Sequence, residues 1–114
     1  MHELGLVVYV IDAVEQLAKE NNLTQVSSIT LELGEVSSVV EEFFTDCWEF
    51  SHKKSELLKD TELRIERLPA VTSCNACGKT YPTITFKKLC PHCGSLDTQL
   101  LCGNEFNIKE IEAC

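Results

Sequence analysis

The first third of the chain changes from a helical to an extended hydrophobic pattern. From residue 3 to about residue 20, apolar side chains recur every three or four positions, which is the spacing of one buried helix face. Asn21 and Asn22 supply a stop signal. Val26–Leu33 then alternates apolar and polar side chains, as a strand with one buried face does, and Gly34 ends it. The apolar helix positions are Leu4, Val7, Val8, Ile11, Val14, Leu17 and Ala18.

A second helix and two more strands continue the periodic pattern. Ser38 and Glu41 have the spacing of a capping box, and the apolar positions that follow are spaced for a helix face. Because this face carries half of the aromatic residues of the chain, the pattern places the core here. Glu62–Leu68 alternates again and Pro69 closes it. A third strand is predicted over residues 105–112. The apolar positions of the second helix are Val40, Phe43, Phe44, Cys47, Trp48 and Phe50.

These elements predict an α+β fold in which two helices pack on a small three-stranded antiparallel sheet. Residues 71–103 interrupt the pattern between the second and third strands. The predicted organisation is therefore one domain formed by residues 1–70 with 104–114, and an inserted domain over 71–103. The polar stretch after the second helix turns the chain, and we expect His52 in it to be a solvated surface residue.

The inserted segment carries two pairs of cysteines with the spacing of metal ligands. Cys74 and Cys77 form one C-x2-C knuckle, and Cys90 and Cys93 form a second after twelve residues. Two such knuckles complete a closed tetrahedral site of four thiolates, which is typical of a zinc ribbon and leaves no open position for substrate. Residues 80–89 have the length and composition of a hairpin. A redox pair is the alternative for a single knuckle, but the doubled motif favours zinc.

Three other cysteines and two histidines lack ligand spacing, and the sequence assigns them no role. Cys47 lies on the apolar helix face and is most simply a small core residue. Cys102 lies where the insert rejoins the sheet, and Cys114 is the last residue. His92, inside the second knuckle, is expected to be exposed or to support a thiolate; substitution for a cysteine in some metal state is the less favoured alternative. His52 is the second histidine without ligand spacing.

Composition and charge narrow the classes of function. The 114 residues are 44% hydrophobic and 25% charged, which is ordinary for a globular protein. The formal charge of −8 counts against nucleic-acid binding, although residues 73–103 carry a net charge of +2 and the remainder carries −10. No apolar run approaches the roughly 18 residues that span a bilayer, and no basic leader is present. We therefore expect a soluble, cytoplasmic protein without membrane contact.

The N-terminus offers a second candidate metal site. The terminal amine, the backbone nitrogen of His2 and a ring nitrogen of His2 can converge on one ion, and the large side chain at position 2 is expected to prevent removal of Met1. Nitrogen donors in a planar arrangement suit Ni(II) or Cu(II). The backbone nitrogen of Glu3 or an external ligand could fill the remaining position. By itself this pattern is weak, because any terminal histidine offers these atoms, and a frayed terminus is the alternative.

The combination of these features resembles one known family. The opening MHE, the strand ending in LGEVS, the C-x2-C-x12-C-x2-C insert, the second knuckle CPHCGS and the closing GNEFNIKEIE are similar to the HypA-type hydrogenase maturation proteins, the HypA/HybF family. The similarity covers essentially the whole chain. Its specificity comes from the combination, because each motif alone is common.

The resemblance implies a nickel metallochaperone for [NiFe]-hydrogenase assembly and, in some members, for urease. It implies Ni(II) bound through His2 with backbone nitrogens near Glu3, and zinc held by the four knuckle cysteines. It also implies transfer of nickel with a HypB-type GTPase to the hydrogenase large-subunit precursor, by a monomer or homodimer. No catalytic pair or phosphate loop is recognisable, so we expect no enzyme. A zinc-ribbon adaptor or nucleic-acid-binding module without nickel transfer is the alternative, and metal titration at His2 separates the two.

Overall fold

The computed structural model describes residues 3–114 and contains both predicted helices and all three predicted strands. None of the helices in this part of the chain is long and apolar enough to cross a bilayer. Three further strands and a short helix lie in the inserted segment. The elements are α1 (Glu3–Glu20), β1 (Val26–Gly34), α2 (Glu41–Ser51) with a 3-10 turn (His52–Lys54), β2 (Glu62–Leu68), β3 (Val71–Cys74), β4 (Thr80–Pro82), α3 (Thr83–Phe86), β5 (Thr98–Cys102) and β6 (Phe106–Ala113).

The chain divides into two compact units. The first comprises the residues up to Leu31, Ser38–Ile65 and Asn107–Cys114, and the second comprises Glu32–Ser37 and Glu66–Phe106. The domain boundaries expected from the sequence, at residues 71 and 103, stay a prediction.

The first sheet has the strand order β2-β1-β6, and β1 and β6 are antiparallel. At one end, the N–H of Thr24 donates to the carbonyl of Cys114 over 2.9 Å; at the other, the N–H of Gly34 donates to the carbonyl of Glu105 over 2.9 Å. The beginning of one strand therefore lies beside the end of the other, which confirms the antiparallel pairing expected for this half of the sheet.

Strands β1 and β2 are parallel. The hydroxyl of Thr61, just before β2, donates to the carbonyl of Val26 at the start of β1 over 2.7 Å. Just after β1, the N–H of Glu35 donates to the carbonyl of Leu68 at the end of β2 over 2.9 Å. The α+β class is confirmed, but an antiparallel sheet throughout is wrong, because the long connection through α2 returns the chain to the end where β1 began.

Helix α1 packs against α2, and each buries a narrower stripe than its apolar pattern suggested. The buried residues of α1 are Val7, Val10, Val14 and Ala18, whereas Leu4, Val8 and Leu17 are exposed. On α2, Phe44 and Trp48 are buried, but Phe43 and Phe50 are 58% and 67% exposed. The prediction that all these positions face the core is wrong, because the apolar residues cover a wider arc than one packed face.

The sequence predicted the end of α1 correctly but not the start of α2. Asn22, two residues after the end of α1, adopts a positive φ of 55°, which confirms the expected stop. The capping box expected from Ser38 and Glu41 is wrong: α2 begins at Glu41 with Val40 as its N-cap, without a side-chain cap bond. Instead, the N–H of Val40 donates over 3.1 Å to the carboxylate of Glu3, at the start of α1.

His52 is buried, not solvated as the sequence suggested. Its exposed fraction is 6%, and its ring stacks on Trp48 with the ring centroids 4.9 Å apart and the planes within 3°. Its Nδ1 lies 2.8 Å from the carbonyl oxygen of Leu58. Because the polar stretch around His52 continues α2 as a 3-10 turn, the imidazole extends the aromatic face of the helix into the core.

The second sheet has the order β4-β3-β5, and both pairings are antiparallel. Thr72 on β3 lies opposite Tyr81 on β4 and Leu100 on β5. The hairpin expected over residues 80–89 is wrong, because β4 pairs with β3 and ends at Pro82, after which the chain forms the single helical turn α3.

Two glycines bring backbone segments of the second unit into direct contact. A Cβ on Gly34 would lie 2.0 Å from the carbonyl oxygen of Gly103, and Gly103 has a φ of +114°. The N–H of Val36 donates to the same carbonyl over 2.8 Å. The carboxylate of Glu35 accepts from the N–H of Ala70 over 2.6 Å. The LGEVS segment thus holds the chain where it leaves β2 and where it returns to β6.

Candidate metal centre

The two knuckles have the same local geometry. The N–H of Gly78 donates to the carbonyl of Cys74, and the N–H of Gly94 donates to the carbonyl of Cys90, each over 2.9 Å. Both glycines have a φ of +76°, the left-handed region that side chains disfavour. This turn closes each C-x2-C segment on itself, so that the two thiols of a knuckle face the same point.

The structure brings all four predicted zinc ligands together. The sulfur atoms of Cys74, Cys77, Cys90 and Cys93 lie within 4.8 Å of one another. The Sγ atoms of Cys74 and Cys93 are 3.5 Å apart, and those of Cys77 and Cys90 are 3.7 Å apart. A tetrahedral site with Zn–S bonds of about 2.3 Å requires sulfur–sulfur distances of about 3.8 Å. The spacing of the four sulfurs therefore fits a four-thiolate zinc site.

The four thiols affect one another's pKa. The pKa of Cys74 is lowered to about 7, mainly by a hydrogen bond from the backbone N–H of Cys77. A hydrogen bond with the Cys93 side chain lowers it further. The N–H of Ser95 lowers the pKa of Cys93, but the Cys74 side chain, burial and the remaining thiols outweigh it and raise this pKa to about 12. The four thiols cannot all ionise beside one another unless a metal ion replaces the protons.

Backbone donors and one aromatic side chain support the cluster. The N–H of His92 lies 3.4 Å from the Sγ of Cys90, while the residue itself is exposed. His92 thus matches the expectation of an exposed residue that supports a thiolate, through its backbone. Tyr81 is buried with Cys74 and Cys90, and its hydroxyl donates to the carbonyl of Lys87 over 2.9 Å. Sequence reasoning missed Tyr81, for which alternation within the short strand β4 was the only available signal.

The other cysteines do not join this cluster. Cys47 is half-buried on α2, so it is less enclosed than the core position expected of it. Cys102 is half-buried, with its sulfur 3.7 Å from the carbonyl oxygen of Pro69, and Cys114 is exposed. Within residues 3–114, the four knuckle cysteines form the one group of three or more side chains that could hold a metal ion.

The N-terminal candidate site lies at the margin of the structure. His2 lies outside the described residues, so its assignment to nickel stays a prediction. Glu3 is the first residue of α1, and its side-chain Oε2 accepts the hydrogen bond from Val40. The use of its backbone nitrogen for nickel is likewise a prediction.

Comparison with known proteins identifies relatives along the full chain. Residues 1–113 match the family model described as "Hydrogenase/urease nickel incorporation, metallochaperone, hypA". The hydrogenase maturation factor HypA of Chlorobaculum parvum is 34% identical over 116 residues, covering 97% of each chain, and that of Geobacter metallireducens is 33% identical over 98% of each. The solution structure of the Ni metallochaperone HypA from Helicobacter pylori is 25% identical, with a TM-score of 0.72, and the match covers 99% of this chain and 97% of that one.

Proposed function

This chain belongs to the HypA family of nickel-incorporation metallochaperones for hydrogenase and urease, and we propose that it carries one Ni(II) ion at its N-terminus for the maturation of a [NiFe]-hydrogenase. The family match over residues 1–113 is the observation that supports this proposal. We assign nickel binding to the domain of residues 1–70 with 104–114, and zinc binding to residues 71–103.

The nickel site consists of nitrogen donors from consecutive residues. The terminal amine, the backbone nitrogen and imidazole of His2, and a backbone nitrogen near Glu3 form a planar donor set that suits Ni(II). Such a site at a chain end exchanges its ion more readily than a closed cage does, which a carrier requires. Its affinity falls as the pH falls, because protons compete with nickel for the imidazole.

The zinc site has the opposite character. Cys74, Cys77, Cys90 and Cys93 supply four thiolates, so the ion has no open position for water or substrate and serves the fold of the insert. The geometry of the four sulfurs supports this assignment. We accordingly infer that the protein is not an enzyme.

Delivery requires protein partners. We infer that these are a HypB-type GTPase and the hydrogenase large-subunit precursor, with the chaperone acting in the cytoplasm as a monomer or homodimer. Exposed apolar side chains on α1 and α2, among them Leu4, Val8, Phe43 and Phe50, offer surface for such contacts.

Metal titration of variants tests the nickel assignment. We expect the zinc-loaded protein to bind one Ni(II) by calorimetry, and His2→Ala to abolish this binding while its zinc content stays unchanged. His92→Ala removes an exposed histidine elsewhere and is the matched control, expected to bind nickel normally. X-ray absorption should show nitrogen and oxygen around nickel and four sulfurs around zinc. Unchanged nickel affinity in His2→Ala would refute the site.

A further inference from the structure

We propose that a groove between α2 and β2 binds an extended, basic segment of a partner protein as an added β-strand. This α2–β2 groove has a volume of about 520 Å³ and is lined by one face of α2, by His52, by the residues from Lys59 to Leu63 and by Ile65. All of these residues belong to the first compact unit. The groove contains none of the proposed nickel or zinc donors, so the inference does not depend on either metal site.

The open edge of a sheet forms one side of the groove. Strand β2 is outermost in the order β2-β1-β6, and within residues 3–114 no strand pairs with its other edge. Leu63 and Ile65 of this strand line the groove and are half-buried. An edge strand presents N–H and C=O groups with which an extended peptide can pair, and alternate side chains of that peptide then contact the neighbouring surface. The backbone of β2 therefore favours an extended occupant.

The lining of the groove is mainly acidic. Glu41 and Glu49 lie two turns apart on one face of α2. In all, four carboxylates and two lysines line the groove, which gives it a net charge of −2. Glu62 and Lys59 each have an ion-pair partner outside the groove, one charge of either sign, so this balance is unchanged. The charged lining residues are Glu41, Glu49, Asp60, Glu62, Lys53 and Lys59.

His52 supplies the most specific feature of the groove. Its side chain is 6% exposed, and its Nδ1 lies 2.8 Å from the carbonyl oxygen of Leu58. Because a carbonyl only accepts, Nδ1 carries a proton, and Nε2 of the neutral ring is a hydrogen-bond acceptor. Nε2 has no hydrogen-bond partner in the described part of the chain, and no fully buried side-chain nitrogen or oxygen in that part lacks one. Nε2 is therefore open to the groove that His52 lines.

An acceptor nitrogen in an acidic groove suits a lysine or arginine side chain. The cationic group can donate to Nε2 of His52, while the carboxylates of the groove balance its charge. A carboxylate or phosphate has no proton to donate to this nitrogen and is repelled by the net charge. A divalent cation does not fit either, because among residues 3–114 only the knuckle cysteines bring three or more ligand atoms together.

The basic segment comes from a partner rather than from this chain. The C-terminus is already paired elsewhere, since Cys114 is hydrogen-bonded to Thr24 and Gln25, each over 2.9 Å. A second copy carries a formal charge of −8 and is a poor match for an acidic groove. We therefore assign the groove to an extended segment of another protein that carries at least one lysine or arginine.

Peptide titration of the full-length, zinc-loaded protein tests this assignment by NMR. The probe is an acetylated peptide in which valine alternates with threonine and arginine, and its control carries glutamate in place of arginine. We expect the arginine peptide to bind with a Kd below about 1 mM, to shift the amide signals of α2 and β2 and the ring signals of His52, and to slow amide exchange in β2 through new main-chain hydrogen bonds. The glutamate peptide should not bind. Equal affinity for both peptides, or binding of neither, refutes the proposal, and unchanged exchange in β2 rules out strand addition.

Substitutions on α2 locate the binding site. Glu49→Lys reverses one charge of the groove and should raise the Kd of the arginine peptide about threefold to tenfold. Asp46→Lys makes the same change at an exposed position of the same helix outside the groove and should leave the Kd within about twofold of the wild type. An equal defect in both variants would show only a general attraction of charge and would overturn the assignment.

A substitution of His52 tests the acceptor nitrogen. His52→Phe keeps an aromatic ring against Trp48 and removes Nε2, so the Kd should rise about tenfold, as the loss of a hydrogen bond to a charged group implies. Zinc content and the unfolding midpoint report whether this variant is folded, and Glu49→Lys decides the question if it is not. A folded His52→Phe variant with unchanged affinity contradicts the role of His52.

Nickel binding separates this inference from the proposed function. Glu49→Lys should bind nickel and zinc as the wild type does, and His2→Ala should bind the arginine peptide normally. If the peptide does not bind while His2→Ala loses nickel, this inference is wrong and the nickel site stands. Concentration-dependent shifts of the groove signals without peptide would identify a second copy as the occupant and overturn the assignment to a partner.

Discussion

The contact between Gly34 and Gly103 predicts a large effect from adding a single methyl group. In Gly34→Ala, the new Cβ would lie 2.0 Å from the carbonyl oxygen of Gly103 and 2.2 Å from its carbonyl carbon. Ordinary contacts between such atoms are about 3.5 Å. Both colliding atoms belong to the backbone, so rotation of a side chain cannot relieve the overlap, and the two segments must separate by more than about 1 Å.

The cost of that separation follows from the hydrogen bonds beside it. The bonds from Gly34 N–H to Glu105 and from Val36 N–H to Gly103 are 2.9 and 2.8 Å long, and a shift of about 1 Å takes both beyond bonding distance. Each contributes about 1 kcal/mol, and forcing extra volume into a packed site costs about 1–3 kcal/mol. Gly34→Ala should therefore lower the free energy of unfolding by about 3–5 kcal/mol, which is a large part of the total for a small domain.

Urea unfolding of the zinc-loaded protein, followed by circular dichroism, measures this change. We expect a lower midpoint with an unchanged slope, and a decrease of Tm on the order of 10–20 °C. Gly5→Ala is the matched control, because a Cβ at Gly5 meets no atom within 4 Å. Within helix α1, that change should be neutral or stabilise the protein by up to about 1 kcal/mol. A Gly34→Ala variant within about 0.5 kcal/mol of the wild type would refute the argument.

Three further predictions concern the core, the metal and an ion pair. Phe44→Ala should destabilise the protein by about 3–5 kcal/mol in urea unfolding, whereas Phe43→Ala, at an exposed site, should stay within about 0.5 kcal/mol. Chelation of zinc should abolish amide protection in β3–β5 while α1 keeps its protection in hydrogen exchange; equal loss in both would contradict a structural zinc. The Ser28 hydroxyl and then Arg64 lower the pKa of Glu112. The ionised Glu112 carboxylate therefore stabilises the fold above the ordinary carboxyl pKa. This contribution is lost as the pH falls through the lowered pKa of Glu112. The Tm of Glu112→Gln should be lower than that of the wild type at pH 7 and should converge with it in acid, once the pH has fallen through the lowered pKa of Glu112.

The zinc ligands could be predicted from the sequence because their geometry is mostly local. Two residues between cysteines, followed by Gly78 or Gly94, are enough to form a knuckle. Helices α1 and α2 and strands β1, β2 and β6 were predictable for the same reason, since a repeat of 3.6 or 2 residues is a property of a short segment. The α+β class followed from counting those segments.

The features that the sequence did not predict depend on contacts between distant residues. Periodicity does not define which part of a wide apolar arc is buried, so Phe43 was placed in the core and is exposed. Nor does it define strand direction, which the path of α2 decides. The carboxylate that accepts from the N-cap N–H of α2 is 37 residues away, in Glu3, whereas local spacing suggested a cap at Ser38. His52 was misjudged because its polar neighbours indicated solvent, whereas its ring stacks on Trp48.

The two metal sites assigned to this protein differ in how far each depends on the fold. The four thiolates come from two knuckles thirteen or more residues apart, so they converge only when the insert is folded, and the zinc affinity includes the folding free energy of that segment. The proposed nickel donors come from consecutive residues and converge without any tertiary structure. A metal held by the whole fold of a segment is retained, whereas a metal held by a few consecutive residues can be released while the fold stays intact. The same chain can therefore retain zinc and give up nickel.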